Sequence, residues 1–417
     1  MTTTHAVGRR EAGWLGSGAP LLERLLERVA QGAVREGRLD VVSPSGRVIR
    51  AGTGAQRPLR IAVHDWATVL RLGLFPQMAL GEAYMDGALT VEVGDLSAFL
   101  DLVGANLASR DEEAGPISRL LGALAEANGR IAARRHVAHY ELPVDFYRRF
   151  LDEDLQYSCA VFERPGQSLE AAQSAKKRRI AGKLLLRPGL KVLDIGCGWG
   201  GLALSLAEDY GAIVRGVSLA QSQIAHARAR AEARGLSGAV TFALEDYRDL
   251  RETYDRIVSV GMFEHVGRPN YDAYFQTIAR ALADDGVAVV HSIGRTRPSG
   301  GVQPWIGRYI FPGGYIPALS QVLPAVERAG LWVTDVEVLR LHYAETLRHW
   351  RSRYLAQIEA VAAERGQRFA RMWDFYLAVS EMAFRRRGCM VFQLQLAKRP
   401  DAAPLTRDYL TARLQSE

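Results

Sequence analysis

The segment Lys191-Val192-Leu193-Asp194-Ile195-Gly196-Cys197-Gly198-Trp199-Gly200-Gly201 constrains this chain more than any other. An apolar strand runs directly into a glycine turn, and a helical pattern begins near Leu202. The missing side chains let a ligand approach the backbone closely. Gly196, Gly198 and Gly201 also satisfy G-x-G-x-x-G, a fingerprint of dinucleotide sites.

Asp194 separates the ligands such a turn can take. A carboxylate at the strand end repels a pyrophosphate and suits a ligand bearing an ammonium and a sulfonium, which is S-adenosylmethionine. A dinucleotide site also wants an acid about 20 residues further on. The second strand here ends Arg215-Gly216-Val217-Ser218, without one. Ser218 and Gln223 can address ribose hydroxyls as neutral partners, and Glu245-Asp246 can address an adenine. The plainer readings are a helix N-cap for Asp246 and an exposed helix position for Gln223, and both stay open.

Strand-like runs at 192–195, 213–217, 240–244, 257–260 and 287–291 alternate with helical segments, which implies a parallel sheet covered on both faces. Residues 295–317, rich in Gly, Pro and aromatics, interrupt this pattern, and long irregular insertions of this kind are usually functional. Helical stretches at 345–365 and 367–387 precede a last strand-like run at 390–396. Upstream, a helix over 21–30, short strands at 39–42, 48–49 and 59–63, a hairpin break at Ser43-Pro44-Ser45-Gly46 and helices at 66–74 and 96–103 form a smaller α+β unit. The expected organisation is a loose tail to residue 20, an α+β domain over 21–110, a linker and helix over 111–135, a transferase domain over 136–400 and a C-terminal tail over 401–417.

Among 417 residues, 53 Lys+Arg stand against 46 Asp+Glu, a net charge of +7 that favours anionic surfaces without singling out nucleic acid. Cys159, Cys197 and Cys389 lie far apart and form no CxxC pair. A disulfide scaffold and a zinc site are therefore excluded as expectations, no metal is expected, and the thiols fit a reducing cytoplasm. No run reaches the roughly 18 apolar residues of a membrane span.

Seven motifs follow in order: Gln156-Tyr157-Ser158-Cys159-Ala160, the glycine turn itself, Asp246-Tyr247-Arg248-Asp249, Ser259-Val260-Gly261-Met262-Phe263-Glu264-His265-Val266-Gly267, His291-Ser292-Ile293-Gly294, Tyr309-Ile310-Phe311-Pro312-Gly313-Gly314 and His342-Tyr343-Ala344-Glu345-Thr346-Leu347. Together they closely resemble the cyclopropane-fatty-acyl-phospholipid synthase family and its mycolic-acid relatives, over roughly His136 to Lys398. The front domain resembles the family's small N-terminal domain more loosely, at Gly81-Glu82-Ala83-Tyr84-Met85-Asp86-Gly87.

The resemblance implies a Rossmann-like class I methyltransferase fold and transfer of a methylene group from S-adenosylmethionine to the cis double bond of acyl chains in membrane phospholipids. It implies cofactor contacts at Tyr157, Ser158, Asp194, Gly196, Gly198, Gly200, Ser218, Gln223, Glu245, Asp246 and Tyr247. It further implies a bound bicarbonate as general base, caged by backbone N–H groups of Cys159 and Ile293 and by Glu264, His291 and Tyr343. Converging N–H and O–H donors suit an anion, and Glu264 would accept the bicarbonate's own O–H. Tyr309, Phe311 and Tyr315 could face a carbocation with their rings. A homodimer and peripheral association with the inner membrane surface, through residues 305–315 and Arg385, Arg386 and Arg387, complete the expectations. Without the resemblance, Cys159 reads as a small buried hydrophobe, and His265 as structural. One stretch departs from the family's pattern: Pro143-Val144 stand where the family carries Gly-Asn, replacing a flexible hinge and a polar group. The alternatives within the fold are methyl or methylene branching of the same alkene, or N-methylation. From other classes, a nicotinamide-dependent oxidoreductase is opposed by Asp194, and a non-catalytic lipid binder by the complete Cys159, Glu264, His291 and Tyr343 set.

Overall fold

The computed structural model describes residues 19–55, 58–108, 142–298 and 302–410. The expected N-terminal tail before residue 19, the linker and helix of 111–135, and His139-Tyr140-Glu141 lie outside the described residues. The chain divides into two compact units, one of Met1–Asp111 with Ile358–Met382, the other of Glu112–Gln357 with Ala383–Glu417.

In the first unit, β1 (Leu39–Val42) and β2 (Val48–Ala51) form the expected antiparallel hairpin, and β3 (Leu59–Val63) adds parallel to β1. A further strand, β4 (Leu89–Val93), pairs antiparallel with β3 and gives the order β2-β1-β3-β4. The sequence reading missed β4 and the Pro76–Asp86 helix before it, which starts on Pro76 and stops at Gly87, with φ of +73°. Ile358–Met382 groups with this unit rather than with the transferase domain expected over 136–400. Tyr84 Oη donates to Asp374 at 2.7 Å, and Arg368 pairs with Asp86 at the same distance.

The second unit holds a seven-stranded sheet in the order β10-β11-β9-β8-β5-β6-β7. The expected strands are β5 (Lys191–Ile195), β6 (Ile213–Ser218), β7 (Val240–Leu244), β8 (Tyr254–Val260), β9 (Leu282–Arg295) and β11 (Cys389–Ala397). Pairing is parallel from β9 to β7, while β11 runs antiparallel to both β9 and β10 (Trp332–Val338). One core cluster, including Phe263, Tyr274 and Phe392, packs with the helices Tyr271–Ala281 and Leu319–Arg328; the other, including Leu202, Leu206 and Ile224, packs with Gly201–Tyr210 and Gln221–Ala233. Sheet order reverses at β5, with β6 on one side and β8 on the other, so a crevice opens at the carboxyl ends of these strands.

The 345–365 stretch is two helices, His342–Leu355 and Ile358–Arg365. The insertion is not an exposed loop. It contains the short helix Pro304–Tyr309, with Trp305 and Tyr315 buried. Tyr315 donates its backbone N–H to Glu264 O, and its hydroxyl accepts from Gln321. All three cysteines are buried free thiols.

Candidate active site

The crevice at the reversal point is a pocket lined by the ends of β5, β6 and β8, the turn after β7, and the segment Leu155–Ser158. Two glycines of the turn have different tasks. Gly198 has a φ of +53° and a Cβ built there meets nothing within 4 Å, so the backbone lies open to a ligand. Gly200 does not line the pocket: at φ +82° it packs against Phe242, where a Cβ would come within 2.6 Å of the ring. Its requirement is packing rather than ligand contact.

Tyr157, Ser158, Asp194, Gly196, Gly198, Ser218, Gln223, Glu245, Asp246 and Tyr247 all line this one pocket. Asp194 is 2% exposed and its Oδ2 has no hydrogen-bond partner. Burial raises its carboxyl to about 7, with Lys176 opposing the rise. Gln223 is buried, not an exposed helix position. Asp246 does cap the Tyr247–Asp249 turn, accepting from Arg248 N, and is also chelated by the Arg248 guanidinium. Glu245 is ion-paired with Arg215 at 2.7 Å. Arg215 is shared with Glu252 at 2.8 Å, and Glu245 also faces the pocket.

Of the other residues named from the sequence, His265 lines this pocket, whereas Cys159, Glu264, His291, Ile293 and Tyr343 do not. Ser158 and Met262 face the pocket, and Cys159 and Glu264 follow them in the chain. Gly261 N–H donates to His291 O at 2.9 Å, which ties the β8 turn to β9. Glu264 Oε1 accepts the Ile293 N–H at 2.6 Å, while its Oε2 is buried without a hydrogen-bond partner. The Ile293 N–H, expected to face an anion, is here engaged by Glu264. Burial raises Glu264 to about 7. His291 is 2% exposed, and burial, then the charges of Lys176 and Lys183, lower it to about 3. It is therefore neutral. Gln393 Nε2 lies 3.0 Å from His291 Nδ1; an amide N–H donated there leaves the imidazole proton on Nε2.

Tyr343 is buried on the helix His342–Leu355, packed against Trp350 and Phe384. That helix is fastened to the Cys159 segment twice: Ala160 N–H donates to Thr346 Oγ1 and Phe162 N–H to His342 Nδ1. The Cys159 thiol is fully buried, and desolvation pushes it far up, which opposes a nucleophilic role. Pro143 caps the short helix Val144–Arg148, whose Tyr147 packs on Trp199 of the glycine turn at 4.8 Å and edge-on to Tyr157 at 5.3 Å. The departure at Pro143-Val144 therefore starts a fixed turn of helix over the pocket.

Sequence reasoning passed over Gln156 and Met262, and gave His265 little weight, though all three line the pocket. Their positions inside the motifs were the available signal. It also missed Lys176, fully buried behind Ser158, for which periodicity offers no signal.

A parallel sheet with an antiparallel edge, a glycine turn at the reversal point and an unpaired acid facing it define a class I S-adenosylmethionine-dependent methyltransferase. The family model described as mycolic acid cyclopropane synthetase matches residues 128–394, and the chain belongs to that family. It is 38% identical over 327 residues to cyclopropane-fatty-acyl-phospholipid synthase of Escherichia coli K12, covering 77% of this chain and 83% of the relative. It is 35% identical over 355 residues to a tuberculostearic acid methyltransferase of Mycobacterium tuberculosis, covering 80% and 81%. Among solved structures, mycolic acid cyclopropane synthase CmaA1 complexed with SAH and CTAB matches with a TM-score of 0.60 and 34% identity, over 65% of this chain and 99% of that one. The protein is an S-adenosylmethionine-dependent transferase of this family.

Proposed function

We propose that this enzyme builds cyclopropane rings on the cis double bonds of unsaturated acyl chains in membrane phospholipids. The observation that carries the reading is one shared wall. The unpaired Asp194 pocket and the buried Glu264, His291, Ile293 and Cys159 cluster meet across Ser158 and Gly261, whose side-chain direction points within 3.9 Å of Ser158 Cβ. A methyl donor on one side and a proton-accepting site on the other is the arrangement that ring closure needs.

An alkene has no proton to remove before it attacks, so the enzyme's first task is alignment. Asp194 holds the cationic donor, and the open backbone at Gly198 admits it. Attack leaves a carbocation, which closes to a ring only if the added methyl loses a proton in a site that keeps water out. The donor set behind the wall fits a small anion: a neutral His291 offering Nε2–H, Tyr343, the Cys159 backbone, and an unpartnered Glu264 Oε2. Bicarbonate held there would supply the proton acceptor. Glu264, anchored on the Ile293 N–H, orients that site. Branching of the same alkene is the second reading, favoured by the likeness to a methyltransferase of tuberculostearic acid.

Among the described residues, no helix is long and apolar enough to cross a membrane, so the substrate chain is reached from the membrane surface. Buried Trp305 and Tyr315 do not make that contact, and Arg385 is ion-paired with Glu345; exposed Arg308 and Arg386 flank the remaining face. We place the enzyme in the cytoplasm, peripherally bound to the inner membrane surface, and as a homodimer. Expression in a host lacking the activity, with mass spectrometry and NMR of its fatty acids, tests the reading. Cyclopropane acyl chains support it, branched chains move it to the second reading, and unaltered fatty acids refute both.

A further inference from the structure

The helix Leu169–Lys183 carries a lysine that no step above uses. Lys176 is fully buried, yet among the described residues it forms no ion pair. Its Nζ donates to Gln156 Oε1 at 2.6 Å and to Ser158 Oγ at 2.8 Å, both on the pocket wall. One turn earlier on the same helix face, Gln173 Nε2 donates to the backbone carbonyls of Gln156 and Ser158 at 3.2 and 3.0 Å. The next residue, Lys177, pairs with Asp154 at 2.7 Å. Positions i, i+3 and i+4 share one face of a helix, so three side chains grip one short segment.

That segment is the wall between the two halves of the site. Ser158 faces the cofactor pocket and the next residue, Cys159, belongs to the cluster behind it. The charged and titratable groups around the ammonium come from every element packed on it. Asp152 and Asp154 precede the wall, Lys177 neighbours it on the helix, Cys159 follows the wall, Asp194 ends β5, and His291 lies on β9. A cation in this place favours the ionised form of Asp194 and the neutral form of His291, the two forms the proposed reaction uses.

We propose that Lys176 is a positioning residue, a buried cation whose charge holds the Gln156–Ser158 wall and thereby sets both the methyl-donor pocket and the proton-accepting site behind it. The proposal rests on the S-adenosylmethionine reading of the pocket. A neutral amine would still have two N–H donors for these oxygens but would lose the charge, and charge-assisted bonds are about twice as strong as neutral ones. Burial lowers the ammonium to about 8, with Asp152 resisting, so the charge is lost as pH rises through that value.

The test measures turnover on cis-unsaturated phospholipid vesicles from pH 7 to 9.5 at fixed bicarbonate, together with S-adenosylmethionine affinity by calorimetry. For the wild type we expect turnover to fall on an alkaline limb near pH 8. Lys176→Arg keeps the charge and should move that limb up by at least about one unit. Lys176→Gln keeps a donor but not the charge, and should lower kcat about 100-fold with S-adenosylmethionine weakened about 10-fold or less. A wild-type profile flat to pH 9.5, an unmoved limb in Lys176→Arg, or wild-type turnover in Lys176→Gln would each overturn the proposal. The wild-type profile decides even where a variant does not fold. Wild type that binds no S-adenosylmethionine would overturn the reading of the pocket instead, a different outcome from an active wild type indifferent to Lys176.

Discussion

Lys176 and Lys183 sit two turns apart on one helix, both fully buried, and the protein treats them in opposite ways. Lys183 meets carboxylates: Glu337 at 2.7 Å and Asp335 at 3.5 Å on β10, with Arg179 also on Glu337 and Arg407 on Asp335 at 2.9 Å. Glu337 is held below its usual range by Lys183 and Arg179 despite burial. Lys176 meets neutral oxygens, while the nearest catalytic-side acids, Asp194 and Glu264, each keep an oxygen without a partner. At the β10 end, charge is spent on holding an edge strand and the segment after β11. At the pocket end the opposing charge is Asp152, which forms no ion pair with Lys176 among the described residues, an arrangement that costs stability and leaves Asp194 and Glu264 able to bind a cation or pass a proton.

The sharpest way to break this contrast is Glu264→Gln. The amide can still accept the Ile293 N–H, so the fold and S-adenosylmethionine affinity should persist while turnover falls about 1000-fold. Calorimetry and product analysis by mass spectrometry check it, and loss of cofactor binding in step with turnover would show Glu264 to be structural. Any residual product should include branched or unsaturated chains, as misdirected loss of a proton from the cation produces.

Lys183→Met probes the other end. Removing one member of a buried ion cluster leaves carboxylates short of a counter-charge and should cost about 3 kcal/mol in urea unfolding. Turnover per folded molecule should stay within a factor of about three. A variant that folds as well as wild type but loses activity would dissolve the distinction between the two lysines.

Asp194→Asn should produce the smallest and most telling change, because stability and binding move in opposite directions. The folded carboxyl is raised to about 7 from an ordinary value near 3.8. In the unliganded protein, stability therefore falls as pH rises between those values, since the unfolded state ionises first. The neutral amide removes that loss, so the variant should be more stable than wild type at pH 8 and no more stable at pH 4. S-adenosylmethionine affinity should drop about 10-fold. Thermal melts at the two pH values, with and without S-adenosylmethionine, measure both. A variant less stable at pH 8 would mean that Asp194 is paired after all.

Much of the fold and the ligand end of the sheet were legible in the sequence, although neither lysine was. Strand periodicity placed β5 to β9 and β11 because buried parallel strands are apolar runs, and the Gly196–Gly201 turn with Asp194 marked the ligand end of the sheet. The missed strands have clear reasons. β10 is an edge strand with Trp332, Val333, Val336 and Val338 exposed, so its pattern lacks the alternation of a half-buried strand. β4 is short and its outer residues face solvent. Residues 305–315 read as a membrane contact because the insertion's Gly and Pro content hides the fact that Trp305 and Tyr315 are buried.

The sequence by itself determined the element types, the glycine turn and the chemical identity of the site: an acid for a cation, and Glu264, His291 and Tyr343 in an apolar setting. The element types, the turn and the acid follow from local spacing and residue chemistry, whereas Glu264, His291 and Tyr343 were singled out only by the resemblance to the family. Only the tertiary structure decided which charges are paired. Ala175-Lys176-Lys177-Arg178-Arg179 reads as a solvated run, yet Lys176 is buried against the wall and Lys177 is half-buried beside Asp154, because residues far apart in sequence close over them. The state of Asp194, Glu264 and His291 was decided in the same way. Desolvation depends on what surrounds a group in three dimensions, and no spacing along the chain encodes it.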